Sequence, residues 1–449
     1  MIKDNETANK NLSEGPIGKS LILFALPLLG SSLIQQLYST FSLIFVGHIL
    51  GKEASAAVGA SSLLVSCVVG FFTGMSVGAG IVAAKFFGSG NETSLKKAIQ
   101  TSMTVSLAGG AFLAVLGYLL TPFLLGLLNT PAGILDQAAD YLRFYFLSLV
   151  SLVSYNMGAG ILRALGNSKS PMVYQLIGGL SNIGTNALFI WFLDWGLKGA
   201  AIAILFSQTL AAVLVLRRLT KLDSAYSLTL RKILIDTAIF KKILYIGIPA
   251  GVQSMVITLS NLVVQYHING LGVDSIAAFT AYFQVELSIY LPILAFGQAA
   301  TTFTSMNIGA GKTDRVRQGV KTGLVISICT TIALSLITLL LSAKAFALFS
   351  NDADVIAIGR RLALIAFPFY FFYAILEVLG STIRGAGKTL PPMVIVLLNL
   401  CLLRTALLYP VMEFFPSASS VIAVFPLSWA GAALCLWLYY RKVQWLPTA

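Results

Sequence analysis

LALIAFPFYFFYAILEVLGSTIRGAGKTLPPM, residues Leu362–Met393, is a hydrophobic run interrupted near its middle by Glu377 and closed by a Gly/Lys/Pro turn. Its apolar part is long enough to cross a hydrocarbon core, which needs about 20 residues. A carboxylate at bilayer depth costs about 2.5–3.5 kcal/mol on insertion scales, so it is retained for function unless a partner neutralises it. Glu377 is therefore the first candidate functional residue.

Composition extends the membrane reading to the whole chain. The 449 residues are 57% hydrophobic and 10% charged, with a mean hydropathy of +0.86, whereas soluble domains carry about 25% charged residues. The formal charge of +13 has no hydrophilic basic domain behind it. Nucleic acid is thus not an expected partner, and the lysines and arginines are explained by membrane topology. Cys67, Cys329, Cys401 and Cys435 fall in hydrophobic runs without CxxC spacing. They are expected to be small core residues, with neither a disulfide framework nor a metal site.

Runs of spanning length occur near 20–46, 55–84, 99–122, 138–162, 171–193 and 197–216, then near 243–267, 276–304, 319–342, 357–383, 391–413 and 418–440. The fold class expected is an all-α membrane protein of twelve transmembrane helices. An even number of spans puts both termini on one side. Of the 30 basic residues, 23 fall on that side, from Lys3 and Lys10 to Arg384 and Lys442, and six on the other, with Arg404 inside a span. The positive-inside rule places both termini in the cytoplasm. The longest link carries seven basic residues, and its Leu230, Ile233, Ile235, Ile239 and Phe240 predict a short interfacial helix.

The link divides two copies of one unit. At a constant offset of 221, Leu50-Gly51 matches Leu271-Gly272, Gly88-Ser89-Gly90 matches Gly309-Ala310-Gly311, and Arg163, Gly166, Pro171 and Met172 match Arg384, Gly387, Pro392 and Met393. With a one-residue gap, Pro27 matches Pro249. Two six-helix lobes in the same orientation form a parallel internal repeat, and in transporters such halves place the substrate between them. The expected organisation is a cytoplasmic segment at 1–19, an N-lobe at 20–216, a basic linker at 217–242, a C-lobe at 243–440 and a cytoplasmic tail at 441–449. Pro27, Pro249, Pro292 and Pro368 each remove a backbone hydrogen bond within or near a span, which permits a bend.

Of the seventeen acidic residues only Glu286 and Glu377 lie deep in spans, and their repeat counterparts, Val65 and Asn156, cannot ionise. By helical spacing Glu377 shares a face with Tyr370, Tyr373, Ala374, Gly380 and Ser381, and Glu286 with Tyr282, Phe283 and Tyr290. An acid among aromatic rings can attract a lipophilic cation or exchange a proton. The bland alternative is Arg404, which could lock one of these acids into a structural ion pair; it cannot satisfy both. His48 and His267 lie at span ends and read as interfacial residues rather than metal ligands.

With these residues in view, the chain resembles the multidrug and toxic compound extrusion (MATE) transporters over nearly its whole length. The resemblance rests on LIQQLYSTFSLIFVGHILG (33–51), AAVGASS (56–62), GAGIVAAKFFGSGN (78–91), ILRALGNSKSPM (161–172), LSNIGTNALFI (180–190), SMNIGAGKTDR (305–315) and STIRGAGKTLPPM (381–393). It implies an exporter of small organic, often cationic amphipathic compounds, driven by inward protons or sodium, with two lobes around a central cavity. The cell location implied is a bacterial-type plasma (inner) membrane, multi-pass, and the protein is expected to be a monomer with no cofactor beyond the coupling cation.

The departures from that family matter. Many prokaryotic members carry an aspartate four residues after a first-span tyrosine, and an Asn followed four residues later by Asp in the fifth span. Here the residues are Tyr38 and Ser42, Asn182 and Asn186, so a polar but neutral cluster remains in the N-lobe cavity. In the C-lobe, Tyr373 and Glu377 keep the tyrosine-to-acid spacing of a cation site in the tenth span of the norfloxacin-exporting branch. That branch adds a glutamate in the seventh span; none occurs here, and Glu286 in the eighth is the candidate replacement. The expectation is that Glu286, Glu377 and Tyr373 couple the cation or proton, with Tyr38, Ser42, Asn182, Asn186, Tyr282 and Tyr370 lining the substrate cavity. A dedicated exporter of one natural product or toxin is the alternative. A lipid-linked oligosaccharide flippase would line its cavity with several arginines, and a membrane-embedded enzyme would need a clustered constellation that the two histidines do not supply.

Overall fold

The computed structural model describes residues 12–128, 130–230 and 234–446. Among them are twelve long helices: α1 (Ile17–Leu50), α2 (Gly51–Gly88), α3 (Glu92–Leu127), α4 (Ala132–Ala164), α5 (Lys169–Asn186) and α6 (Gly196–Thr220). The second set is α7 (Thr237–Asn269), α8 (Val273–Gly309), α9 (Thr313–Leu340), α10 (Ala353–Gly385), α11 (Leu390–Phe414) and α12 (Ala418–Lys442). Eleven of them are long and apolar enough to cross a membrane. The remaining predicted span is α5, prolonged by the π-helical turn Ala187–Phe192; Gln175, Ser181, Asn182, Thr185 and Asn186 make it polar. Helices satisfy their own backbone hydrogen bonds, as a lipid environment requires. Phe112, Phe123 and Phe192 are exposed on their surfaces as lipid-facing side chains are.

The repeat is visible in the backbone. Gly51 and Gly272 have φ of 83° and 95°, Gly90 and Gly311 of 66° and 71°, and Gly166 and Gly387 of 83° and 89°. These left-handed conformations favour glycine, and each pair is separated by the same 221 residues. At the last two pairs the turn closes the preceding helix in the same way. Asn167 N donates to Leu162 O at 2.9 Å and Lys388 N to Ile383 O at 3.2 Å, satisfying carbonyls that the helix end leaves free.

The chain divides into two compact units, and the division falls inside helices. One unit holds Gly30–Gly251; the other holds Leu12–Leu29 together with the described residues from Val252 onward. The chain therefore changes unit just past Pro27 in α1 and just past Pro249 in α7. Within the first unit, a Cβ on Gly78 would lie 2.6 Å from Ile243 O and one on Gly74 would lie 2.2 Å from Gly251 N, so α2 and the start of α7 touch backbone to backbone. In the second unit Asn307, Lys312 and Arg315 hold the carbonyls of Leu12, Ser13 and Glu14 at 2.8–3.3 Å.

Two expectations are corrected. No interfacial helix forms in the described part of the link: 221–230 and 234–236 are turns and coil, and Ile239 and Phe240 belong to α7. Instead Gln100 and Thr101 of α3 take up the link's backbone groups, Gln100 on both the N–H and carbonyl of Thr229 and Thr101 on the N–H of Asp236. Two of the four cysteines, Cys329 and Cys435, are exposed rather than in the core. Lys3, Lys10, Arg231, Lys232 and Ile233, like 1–11 and 447–449 of the predicted terminal segments, lie outside the described residues.

Candidate functional site

In α10 the Phe367–Phe369 turn is a 3₁₀ break built on Pro368, after which Tyr370–Gly385 is regular helix. That helix places Tyr373, Glu377, Ser381 and Arg384 on one stripe at spacings of four, four and three. Glu377 Oε1 accepts from Ser381 Oγ at 2.8 Å and from Arg384 Nη2 at 2.7 Å. Arg384 Nη2 also donates to Ser381 Oγ at 2.7 Å. Arg404, the alternative partner that the sequence offers, is not the one Glu377 takes; the cation is Arg384, which lies in the last turn of the same helix two turns from the acid.

Glu377 is also wedged against α8. A Cβ on Gly297 would lie 2.6 Å from Glu377 Oε1 and 2.9 Å from Ser381 Oγ. Further along the seam, Thr301 Oγ1 donates to Ser381 O at 3.1 Å and Ser305 Oγ to Gly385 O at 2.8 Å. Gly297, Thr301 and Ser305, each four residues apart, face Glu377, Ser381 and Gly385, so small side chains let the two backbones approach, as membrane helix interfaces favour. The acid is thereby paired, hydrogen-bonded and packed.

Glu286 is in a different situation. It lies eleven residues from Gly297 along α8, about 16 Å at 1.5 Å per residue, so the two acids sit at different levels along that helix. Tyr290 stands between those levels, its ring 5.5 Å from that of Tyr373. Glu286 is 8% exposed, and among the described residues it has no hydrogen bond or ion pair. Arg404 is 4% exposed and donates from Nε and Nη2 to Ser428 Oγ at 3.2 and 3.0 Å, with its guanidinium 4.1 Å above the Phe425 ring. No acid lies within ion-pairing distance of it among the described residues, so Arg404 locks neither glutamate.

Tyr282 and Tyr370, expected to line a cavity, are packed into an aromatic core. The Tyr282 ring lies 5.4 Å from that of Phe367, Phe367 packs edge-on to Tyr370 at 5.9 Å, and Tyr370 lies tilted against Trp429 at 4.5 Å. The Tyr282 hydroxyl is buried without a hydrogen-bond partner.

The four neutral N-lobe residues do come together. Asn186 Nδ2 donates to Asn182 Oδ1 at 3.0 Å and to Ser42 Oγ at 3.5 Å, Asn182 Nδ2 donates to Ser207 Oγ at 3.3 Å, and the Tyr38 hydroxyl accepts from Gln175 and Gln208. Gln175, Ser207 and Gln208 were missed from sequence; of these Gln175 carried a signal, since it lies seven residues before Asn182 on one face of α5. Ser428 carried none, because it reaches Arg404 from another helix. In the same unit a separate cavity of about 310 Å³ is lined by Leu50, Asp136, Asp140, Trp195 and Lys198. Its Asp140 is paired to Lys198 at 3.0 Å.

The comparisons agree with this architecture. The MatE family profile matches residues 27–188 and 249–409, one match in each repeat. Two Bacillus subtilis (strain 168) proteins are similar along their lengths. "Probable multidrug resistance protein YoeA" is 26% identical, covering 96% of this chain and 95% of its own. "Probable multidrug resistance protein YpnP" is 27% identical, covering 97% of each. A solved structure described as the outward-facing conformation of a multidrug resistance MATE family transporter shares the fold, with a TM-score of 0.90 and 20% identity over 97% of both chains. This multi-pass membrane protein is a transporter and not an enzyme, and it belongs to the MatE family.

Proposed function

We propose that the protein exports small organic compounds, often cationic and amphipathic, across a bacterial-type plasma membrane in exchange for inward protons or sodium. The names of its B. subtilis relatives support the export of drugs, and the parallel repeat supports alternating access of two halves with both termini in the cytoplasm. One observation carries the choice of coupling residue: Glu286 is buried in α8 with no hydrogen bond or ion pair among the described residues. A carboxylate so placed is stable only when it is protonated or holds a cation, which makes its charge state depend on the ion that drives transport. Glu377 and Tyr373 remain in this reading as supports: Glu377 is already neutralised by Arg384, and Tyr373 packs beside Tyr290, next to the free acid. The N-lobe cluster of Tyr38, Ser42, Asn182 and Asn186 offers hydrogen bonds to polar substrate groups without exchanging protons.

The test is a drug-susceptibility panel in an efflux-deficient bacterial host, with and without sodium, for the wild type, Glu286→Gln and Glu377→Gln. The proposal expects resistance from the wild type, its loss in Glu286→Gln, and its retention in Glu377→Gln at matched protein levels. Unchanged resistance in Glu286→Gln rules out the coupling role. A panel in which the wild type protects against nothing favours a dedicated exporter of one natural product.

A further inference from the structure

The cavity lined by Leu50, Asp136, Asp140, Trp195 and Lys198 takes no part in the coupling scheme above. All of it lies in the first unit, at the end where α1 gives way to α2 and where α4 and α6 begin. The link leaves α6 at its other end, so in the orientation proposed above this cavity belongs to the outer face.

The turns around it are built in uncommon backbone conformations. The helix α1 ends in the π-helical turn Val46–Leu50, followed by Gly51, and in the turn between α5 and α6 Asp194 stands at a φ of 51° and Gly196 at 56°. A left-handed aspartate persists only where its surroundings fix it. What this turn fixes is Trp195. Its backbone N–H donates to Phe189 O at 2.9 Å, and the Phe189 ring backs the indole at 5.0 Å, within 5° of parallel. Trp195 still lines the cavity and is 47% exposed, so the rest of the indole is open to a ligand.

The charges beside the indole are unequal. Asp136 and Asp140 share one face of the first turns of α4 by their spacing of four. Asp140 is taken up by Lys198 Nζ at 3.0 Å and by Arg143 Nη1 at 3.7 Å. Asp136, which is exposed, has no hydrogen bond or ion pair among the described residues. Leu50, Ala54 and Leu197 supply hydrocarbon walls. The cavity of about 310 Å³ thus combines one uncommitted carboxylate, one backed ring and an apolar surface. A hard divalent ion needs six or more oxygen ligands, and the described residues hold no cluster of three acidic, histidine or cysteine ligands. A primary amine brings three N–H donors that these walls would leave without acceptors. A quaternary ammonium asks only for negative charge and a ring face.

We infer that this cavity is a binding site for a dissolved quaternary ammonium ion, with the positive head between the Asp136 carboxylate and the Trp195 ring and its methyl groups against Leu50, Ala54 and Leu197. Glu286 belongs to the other unit, so the site stands or falls apart from the coupling role of that acid.

Choline and its uncharged isostere 3,3-dimethylbutanol test it. Each is titrated onto the purified full-length protein in nanodiscs of phosphatidylethanolamine and phosphatidylglycerol, and binding is read from saturation-transfer NMR of the methyl protons. The wild type should bind choline at least about fivefold more tightly than the isostere. Asp136→Asn should remove that preference, Trp195→Leu should weaken choline several-fold, and Trp195→Phe should retain part of the binding, which separates loss of the ring from loss of the fold. Adding phosphatidylcholine to the discs should leave choline binding unchanged; competition by it would give the site to a lipid headgroup and overturn the dissolved ion as ligand. The inference is also overturned if the wild type binds neither compound or binds both equally, or if choline binding survives intact in Asp136→Asn and Trp195→Leu. None of these results bears on export, which the susceptibility panel reads separately.

Discussion

Arg384 Nη2 lies 2.7 Å from Glu377 Oε1, two helical turns along α10, with Ser381 Oγ bonded to both. The acid that the sequence marks as most conspicuous is thus already neutralised within its own helix. Removing the cation strands the carboxylate; removing the charge of the acid leaves a hydrogen-bonding amide. Arg384→Ala should therefore lower stability by roughly 1–3 kcal/mol, and Glu377→Gln by clearly less. In the double variant the losses should not add, because the two residues share one interaction. Thermal unfolding of the purified proteins in one detergent measures all three; additive losses would contradict the pairing.

The seam between α8 and α10 makes a second prediction. A Cβ at position 297 would meet Glu377 Oε1 at 2.6 Å and Cγ at 2.8 Å. Gly297→Ala should separate the helices or displace the acid, costing about 1–3 kcal/mol as overpacking does. Gly109 in α3 has nothing within 4 Å of a built Cβ. Gly109→Ala should be neutral or stabilising, by up to about 1 kcal/mol from helix propensity. The same unfolding assay reads the contrast.

Outside the spans, the Asp236 carboxyl is held below its ordinary value because it accepts the N–H of Ile239, and Lys97 pairs with it at 3.3 Å. A depressed carboxylate pKa adds stability that is fully present above the unfolded value of about 3.9 and is lost as pH falls through the folded one. Amide exchange at Ala238 and Ile239 should therefore be slow at neutral pH and lose protection below about pH 4. In Asp236→Asn the carboxylate is gone, so protection should be lower at neutral pH and should not change over that window.

Asn186 is fully buried and donates to Asn182 and Ser42. Asn186→Ala leaves the Asn182 amide oxygen without this donor, so a loss of about 1–3 kcal/mol in the unfolding assay is expected. Coupling stoichiometry should not change, because no member of this cluster ionises near neutral pH.

The fold was legible because its signals are linear. Span length and hydropathy mark the helices, and the 221-residue offset of Gly51, Gly90 and Gly166 to Gly272, Gly311 and Gly387 fixes the repeat through backbone conformations few other residues adopt. The site was legible only in part. The stripe from Glu377 to Arg384 is written in the sequence at a spacing of seven, but Arg384 sits beside a Gly/Lys/Pro turn and reads as loop charge. The capture of Arg404 by Ser428, and the distance that parts Glu286 from Glu377, depend on which helices pack together. No spacing within one helix encodes that. The link misled for a related reason: Leu230 and Ile235 look like an apolar helix face, yet both are exposed, and α3 supplies the hydrogen bonds that hold the link as coil.

The central claim is that Glu286 couples the ion to the compound. Its most direct test is uptake of a fluorescent organic cation into proteoliposomes under imposed proton or sodium gradients, comparing the wild type with Glu286→Gln at equal incorporation. The wild type should accumulate the dye only when a gradient is imposed, and Glu286→Gln should bind the dye yet fail to accumulate it under either gradient. Gradient-driven accumulation by Glu286→Gln at the wild-type rate would contradict the account.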